Sequence, residues 1–293
     1  MSHNKNLLGI LKSPGRHWVG DGFPVQTLFS YNGQGNDISP FLMLDYGGPA
    51  EFPPTEKRLG VGEHPHRGFE TVTIVYDGEV EHRDSGGGGG HIRTGDVQWM
   101  TAASGVVHEE FHGREFAKKG GRFEMAQLWV NLPAKDKMTK PRYQEILSRE
   151  IPAVDLPNGA GVARVIAGEF GGKRGPAKTF SPLQVWDLRL KAGGSVDLEV
   201  PDGHTLMLAV FQGPIRANGS EARSAEAALF EQAGSSVHVE SPGEAKVLFL
   251  SGEPLNEPIA GYGPFVMNTA EEIYQAIRDY QSGKMGRLAE ARP

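Results

Sequence analysis

The segment His64–Gly78 reads HPHRGFETVTIVYDG and has the pattern of a β-strand followed by a tight turn. Thr71–Tyr76 is rich in β-branched residues, which favours a strand, and Asp77-Gly78 is a type I′ hairpin signal. Glu79–Asp84 is therefore predicted to be the return strand. The glycine run Gly86–Gly90 is predicted to be a flexible loop behind it.

The same rhythm of short strands and turns covers most of the chain. Val97–Thr101 and Met125–Leu132 are further predicted strands, and five β-rich runs follow from Leu183 onward. The chain contains 40 Gly and 20 Pro, an excess that favours turns and short strands over helix. We therefore predict an all-β protein built as a barrel or a sandwich. The two β-rich halves suggest a duplicated barrel, with one copy in residues 1–135 and the other, after a linker, in residues 136–293.

The end of the chain has a different pattern. Thr269 is a good N-cap, and Glu272 stands three residues later, which is the capping-box spacing. Gly283 marks the expected end of a short helix within the second half. One face of this helix is predicted to be apolar and to dock against a barrel, through Ile273, Ala276, Ile277 and Tyr280.

Two compact histidine clusters carry the chemistry. His64 and His66 form His-x-His, and His108 and Glu110 form His-x-Glu. On a strand, residues two apart point to the same face, about 7 Å apart at about 3.4 Å per residue. The 44 residues between the clusters leave room for the second pair to face the first across a barrel. Four ligands from two strands would make a site of three histidines and one carboxylate, although either cluster alone is a weak signal.

Composition excludes several classes of protein. The chain of 293 residues has no cysteine, which excludes disulfides, thiolate catalysis and Cys-type zinc sites. A formal net charge of -6 without a basic block argues against nucleic-acid binding. No apolar run is long enough to span a membrane, and the N-terminus lacks a signal-peptide pattern. We therefore predict a cytoplasmic protein without direct nucleic-acid or membrane partners.

Longer motifs resemble those of one family. HPHRGFETVT and GDVQWMTAASGVVHEE, followed by MAQLWVNLP and GPFVMNTAEEIYQAIRDYQSGKMG, resemble the pirin family of the cupin superfamily. The resemblance runs from about Leu7 to Gly286, and the first two motifs are its specific part. It implies a bicupin: two cupin-type β-barrels, of which the N-terminal one holds a single metal ion, usually iron.

The resemblance also implies roles for individual residues. The metal ligands would be His64, His66, His108 and Glu110, with Glu70 beside the site in a supporting or structural role. His112 remains a reserve ligand. The second barrel offers His204 and His238 without a His-x-His, so it is expected to bind no metal. His82, His91 and His204 are predicted to face solvent.

Several functions remain open for such a site. Imidazole and carboxylate ligands suit Fe(II), the first choice, and also Mn, Ni, Cu or Zn. The resemblance implies a quercetin 2,3-dioxygenase-type oxidoreductase that cleaves a flavonol or similar enediol with O₂. Glu110 would then be the catalytic residue, because it can accept the substrate's hydroxyl proton. The alternatives are a non-catalytic iron- or redox-sensing regulator that binds a partner protein, and an isomerase or binding protein that uses the metal as a Lewis acid.

Overall fold

The computed structural model describes residues 3–288, most of which lie in short antiparallel strands. The first strands in chain order are β1 (Leu7–Lys12), β2 (Arg16–Val19), β3 (Phe23–Ser30), β4 (Phe41–Phe52), β5 (Gly60–His66), β6 (Phe69–Asp77), β7 (Glu79–Asp84), β8 (Gly89–Arg93), β9 (Val97–Thr101), β10 (Val106–His112), β11 (Gly121–Asn131), β12 (Arg142–Ile146) and β13 (Ala153–Asp155).

The remaining strands are β14 (Gly161–Ala167), β15 (Glu169–Phe170), β16 (Lys173–Arg174), β17 (Leu183–Leu190), β18 (Gly194–Glu199), β19 (Thr205–Gln212), β20 (Ile215–Ala217), β21 (Ser220–Ala222), β22 (Glu226–Phe230), β23 (Ser236–Ser241), β24 (Ala245–Gly252), β25 (Ala260–Tyr262) and β26 (Phe265–Met267). The α-helices are α1 (Tyr31–Gln34), α2 (Arg114–Lys119) and α3 (Ala270–Gln281). Within residues 3–288, no helix combines the length and apolar character that a bilayer span requires. The predicted all-β class with a short C-terminal helix is confirmed.

The described residues divide into two compact units, each built from separate stretches of the chain. Unit A comprises residues 16–26, 44–148 and 256–288, and unit B comprises residues 3–15, 27–43 and 149–255. The predicted boundary between residues 135 and 136 stays a prediction. The two units do not follow this boundary at either end of the chain. Helix α3, in the second half of the sequence, belongs to unit A, and β1, in the first half, belongs to unit B.

Unit A is built around two large sheets. Their strand orders are β12-β9-β6-β11-β4-β3-β2 and β5-β10-β7-β8. Both sheets contribute to one apolar core, in which Val25, Val75 and Met125 from the larger sheet join Val80 and Ile92 from the smaller one. Burial of such alternating apolar residues is the main stabilising contribution to this arrangement.

The turn at Asp77-Gly78 is not the predicted hairpin. Glu79–Asp84 is a strand with the predicted bounds, but β6 and β7 lie in different sheets, and β7 pairs with β10 and β8. Gly78 has φ 90°, and a Cβ there would lie 2.7 Å from a ring carbon of Phe123. The turn therefore carries the chain from one sheet to the other, which local sequence cannot distinguish from a hairpin.

Unit B repeats the two-sheet plan. Its strand orders are β1-β22-β19-β24-β17-β14-β13 and β18-β23-β20-β21. Trp186, Leu208 and Phe249 of the larger sheet share one core with Val196 and Val237 of the smaller sheet. The two β-rich halves read from the sequence therefore correspond to two similar sheet assemblies.

The C-terminal helix α3 begins with the predicted capping box. The Thr269 side chain accepts a hydrogen bond from the Glu272 amide at 3.2 Å, and the Glu272 carboxylate accepts one from the Thr269 amide at 3.0 Å. Ile273 and Ala276 pack in one cluster with Val107 of β10. Tyr280, predicted on the apolar face, is 39% exposed. The helix therefore docks against the strand that carries His108.

Candidate metal centre

Three of the four predicted ligands meet where β5 and β10 pair. In this antiparallel pair His64 lies directly opposite His108, and His66 lies two residues further along β5. The ring centroids of His64 and His108 are 4.2 Å apart, and each lies 4.9 Å from that of His66. The two clusters are thus neighbours within one sheet, and the prediction that they face each other across a barrel was wrong.

The hydrogen bonds of these rings leave one nitrogen of each available. His64 Nδ1 lies 2.8 Å from the Gly62 carbonyl oxygen, and His66 Nδ1 lies 3.2 Å from that of Pro264. Because a carbonyl only accepts, each Nδ1 carries a hydrogen, and in the neutral form of each ring Nε2 keeps its lone pair. Within residues 3–288, the buried Nε2 of His108 has no hydrogen-bond partner.

An uncompensated buried nitrogen is costly unless something binds it. The three histidines offer ligand atoms that all lie within 4.8 Å of one another. Burial, reinforced by neighbouring His64, lowers the pKa of His66 to about 3. Burial also lowers the pKa of His108 well below its usual value. Neutral imidazoles are what a metal ion requires, so the three side chains fit a divalent cation.

Glu110 lies beside this triad in a polar pocket. The register of β10 against β5 shifts between His108 and Glu110, as it does at a β-bulge. Gln98 Nε2 donates to Glu110 Oε1, and Gln127 Nε2 donates to Oε2 at 2.8 Å. Glu110 forms a second group of candidate ligands with His108 and His82. The two groups share His108, so Glu110 lies next to the triad and is held by two amides.

Two other histidines lie where the sequence analysis did not expect them. His82, predicted to face solvent, is only 5% exposed, so that prediction was wrong. The burial of His82 could have been predicted from the alternation of β7. Val80, two residues earlier, is a core residue, and residues two apart on a strand lie on the same face. The reserve ligand His112 packs between aromatic rings, and its Nε2 donates to the Gly22 carbonyl at 2.8 Å. His91 and His204 are half-buried.

The segment that follows His66 is clamped by several contacts within unit A. Arg67 Nη1 donates to Asp279 Oδ2 of α3 at 2.9 Å, and Arg67 Nε donates to the Ser104 carbonyl at 2.7 Å. Gly68 has φ 91°, and a Cβ there would lie 1.9 Å from the Val266 oxygen. Only glycine fits this close approach. These contacts hold the end of β5, and with it His66, in place.

Glu70 is buried apart from the triad. Its Oε1 accepts a hydrogen bond from Thr101 Oγ1 at 2.6 Å, and burial raises its pKa to about 7. The folded protein therefore retains a proton that the unfolded chain loses between about pH 4.5 and pH 7. It follows that this carboxyl group makes the free energy of unfolding fall as the pH rises through that window.

We expect Glu70→Gln to abolish this decrease in the free energy of unfolding with rising pH, because the amide stays neutral and its oxygen can still accept the hydrogen bond from Thr101. Urea unfolding should show the variant about 2–3 kcal/mol more stable than the parent at pH 8, and close to it at pH 4. The exposed Glu51→Gln is the control and should leave the pH dependence unchanged. Parallel pH profiles for Glu70→Gln and the parent would show that Glu70 ionises normally.

Comparisons with known proteins decide the family. The Pirin family model matches residues 22–130, and a model described as Pirin C-terminal cupin domain matches residues 185–286. The chain belongs to the pirin family. Its fold is therefore the cupin-type fold of that family, as the motifs indicated.

Relatives of this pirin cover nearly its full length. It is 58% identical over 280 residues to a candidate quercetin 2,3-dioxygenase of Pseudomonas aeruginosa, covering 96% of this chain and 98% of the relative. It is 41% identical to a pirin-like protein of Solanum lycopersicum, and the match covers 85% of this chain and 83% of the relative. The crystal structure of quercetin 2,3-dioxygenase from Acinetobacter baumannii superposes with a TM-score of 0.95 at 52% identity, covering 98% of this chain and 100% of the other.

Proposed function

We propose that this pirin is a metal-dependent dioxygenase that cleaves a flavonol or a similar enediol with O₂. The observation that carries the proposal is that the buried Nε2 of His108 has no hydrogen-bond partner in the described part of the chain, while His108 forms one group of candidate ligands with His64 and His66. The similarity to proteins named as quercetin 2,3-dioxygenases supports the reaction type. The proposed ligands are His64, His66, His108 and Glu110.

The proposed ion is Fe(II). Imidazole nitrogen and carboxylate oxygen suit it, although Mn, Ni, Cu and Zn share that preference. When bound, the ion supplies the Lewis acidity and redox chemistry that make a flavonol reactive towards O₂. The neutral state of His66 and His108 leaves their nitrogens ready to bind the ion at neutral pH.

Glu110 has a second role in this proposal, as the base. The carboxylate lies beside His108 and accepts the hydroxyl proton of the substrate when the substrate enters the site. Gln98 and Gln127 each donate an amide hydrogen to it and so fix the direction in which its free lone pairs point. Loss of the proton leaves an electron-rich enolate, which O₂ attacks more easily.

The test of the activity is aerobic incubation of the Fe(II)-loaded protein with quercetin. We expect O₂ uptake together with loss of the flavonol absorbance, and neither in metal-free protein. Loaded protein that binds Fe(II) but consumes no O₂ with quercetin would contradict the dioxygenase proposal. That result would instead favour the non-catalytic regulator.

We expect Glu110→Gln to lower turnover of quercetin at least tenfold more than it lowers metal content, because the amide cannot accept the proton. Metal analysis and O₂ uptake on the same samples provide the comparison. Glu109→Gln is the matched control, since Glu109 is the neighbouring carboxylate and pairs with Arg58 and Arg83. If Glu110→Gln lost metal and turnover to the same extent, Glu110 would be a metal ligand only and not the base.

A further inference from the structure

The glycine-rich loop after β7 surrounds a carboxylate. The backbone amides of Gly86 and Gly88 donate to Asp84 Oδ1 at 2.8 and 3.0 Å. A Cβ on Gly88 would lie 2.3 Å from Asp84 Oδ2, so this approach requires glycine. Burial alone would raise the pKa of Asp84, but hydrogen bonds from His82 and these amides outweigh it and lower the pKa. Asp84 is therefore an ionised acceptor held in a fixed direction.

The other oxygen of Asp84 meets His82. Asp84 Oδ2 lies 3.1 Å from His82 Nε2. The His82 ring is stacked on Tyr143, with centroids 4.9 Å apart and planes 11° from parallel, which restricts its rotation. Because an ionised carboxylate only accepts, His82 Nε2 carries a hydrogen, and in the neutral ring Nδ1 keeps the lone pair.

That lone pair faces the metal triad. His82 Nδ1 lies 3.3 Å from His108 Nδ1, and both side chains are buried. With His82 as the acceptor, His108 Nδ1 is the donor, and the lone pair of His108 is on Nε2. Among residues 3–288, this is the nitrogen that lacks a hydrogen-bond partner, and His108 is the residue that forms one group of candidate ligands with His64 and His66.

We propose that Asp84 and His82 are positioning residues that fix the tautomer of His108, so that its Nε2 is always presented to the metal ion. The direction of each hydrogen bond follows from the one before it: the glycine amides orient Asp84, Asp84 orients His82, and His82 orients His108. The proposal rests on the metal centre proposed above. It gives Gly86 and Gly88 a role that the prediction of a flexible loop over Gly86–Gly90 did not include; Gly89 and Gly90 instead begin β8.

Two other histidine–carboxylate pairs serve as controls. His91 Nε2 lies 2.9 Å from Glu79 Oε2, and His238 Nδ1 lies 2.7 Å from Asp197 Oδ1. Neither ring belongs to a group of candidate metal ligands among residues 3–288. Their substitution removes a histidine–carboxylate contact without touching His108.

Asp84→Asn is the most direct test, because it changes one oxygen to an NH₂ group at nearly constant shape. If that NH₂ faces His82, the glycine amides still donate to the remaining oxygen, but both hydrogen bonds of His82 reverse, and the neutral ring of His108 must carry its hydrogen on Nε2. Imidazole ¹⁵N NMR of the metal-free protein reads this tautomer. We expect an unprotonated His108 Nε2 in the parent and a protonated or mixed state in Asp84→Asn.

His82→Phe keeps a ring against Tyr143 and removes both nitrogens. We expect it to weaken the binding of Zn²⁺, and of Fe²⁺ under anaerobic conditions, by about 10–100-fold in competition with a chelator. His91→Phe should bind both ions as the parent does. Asp84→Asn should also weaken binding, and it provides the same comparison if His82→Phe does not fold.

Three results would overturn the inference. They are a protonated His108 Nε2 in the metal-free parent, a parent-like tautomer in Asp84→Asn, and parent-like affinity in both variants. Metal retained in His64→Ala but lost in His82→Phe would place the ion in the second ligand group, and His82 would then be a ligand. The NMR result does not need metal, so it stands even if the parent binds none and the proposed function fails.

Discussion

His108→Ala is expected to abolish specific metal binding and, with it, any O₂ uptake. The His108 ring lies 4.2 Å from that of His64 and 4.9 Å from that of His66, and His108 is shared by both groups of candidate ligands. Its removal leaves the two imidazoles of β5 and the Glu110 carboxylate, which shares a group of candidate ligands with His108 but, among residues 3–288, not with His64 and His66. Metal analysis should show less than about a tenth of the ion content of the parent, because without His108 the remaining side chains no longer form one group of three ligand atoms, and a site for these ions usually needs at least three protein ligands.

The control for this experiment is His238→Ala in unit B, which should retain metal. Urea unfolding should show that His108→Ala remains folded, since the cores of unit A are apolar and do not depend on this ring. His64→Ala should repeat the loss from the opposite strand. A full equivalent of tightly bound metal in His108→Ala would refute the assignment of the site.

Lys137→Met is expected to destabilise unit A by about 3 kcal/mol or more. Lys137 is 1% exposed, and its Nζ donates to Gly68 O at 2.7 Å, Asn131 Oδ1 at 2.6 Å and Val266 O at 3.0 Å. Met has a similar length but no donor, so three buried oxygens lose this hydrogen bond. Each loss costs about 1 kcal/mol or more when no water replaces the donor.

Urea denaturation measures this change in the free energy of unfolding. The matched control is Lys135→Met, because Lys135 is exposed, and its free energy of unfolding should stay within about 0.5 kcal/mol of that of the parent. Because Gly68 follows the ligand strand by two residues, Lys137→Met should also weaken metal binding. A variant as stable as the parent would show that water or a rearranged backbone replaces the ammonium group.

The ligand candidates were readable from the sequence because the relevant geometry is local. Residues two apart on a strand share a face whatever surrounds them, so His64 and His66 could be paired without any coordinates. The capping box at Thr269 is equally local, and the structure contains it as predicted. Composition, turn signals and short apolar runs were enough to predict the all-β class.

The errors have a common cause. Asp77-Gly78 has the local pattern of a hairpin, yet β6 and β7 belong to different sheets. His82 was assigned to solvent because it adjoins a glycine-rich loop, although the alternation of β7 buries it. In both cases one local signal was read alone. The partner strands that override Asp77-Gly78 are not encoded within a few residues, whereas the alternation of β7 that buries His82 could be read from the sequence.

The sequence by itself determined the chemistry available to this protein: histidine and carboxylate ligands at strand spacing, no thiols, and two β-rich halves. Only the tertiary structure decided that His64 lies opposite His108, that α3 packs beside the ligand strand, and that Asp84 reaches His108 through His82. The reason is physical. Side-chain type and local periodicity are properties of neighbours along the chain, whereas register and burial are set by the packing of strands that are distant in sequence.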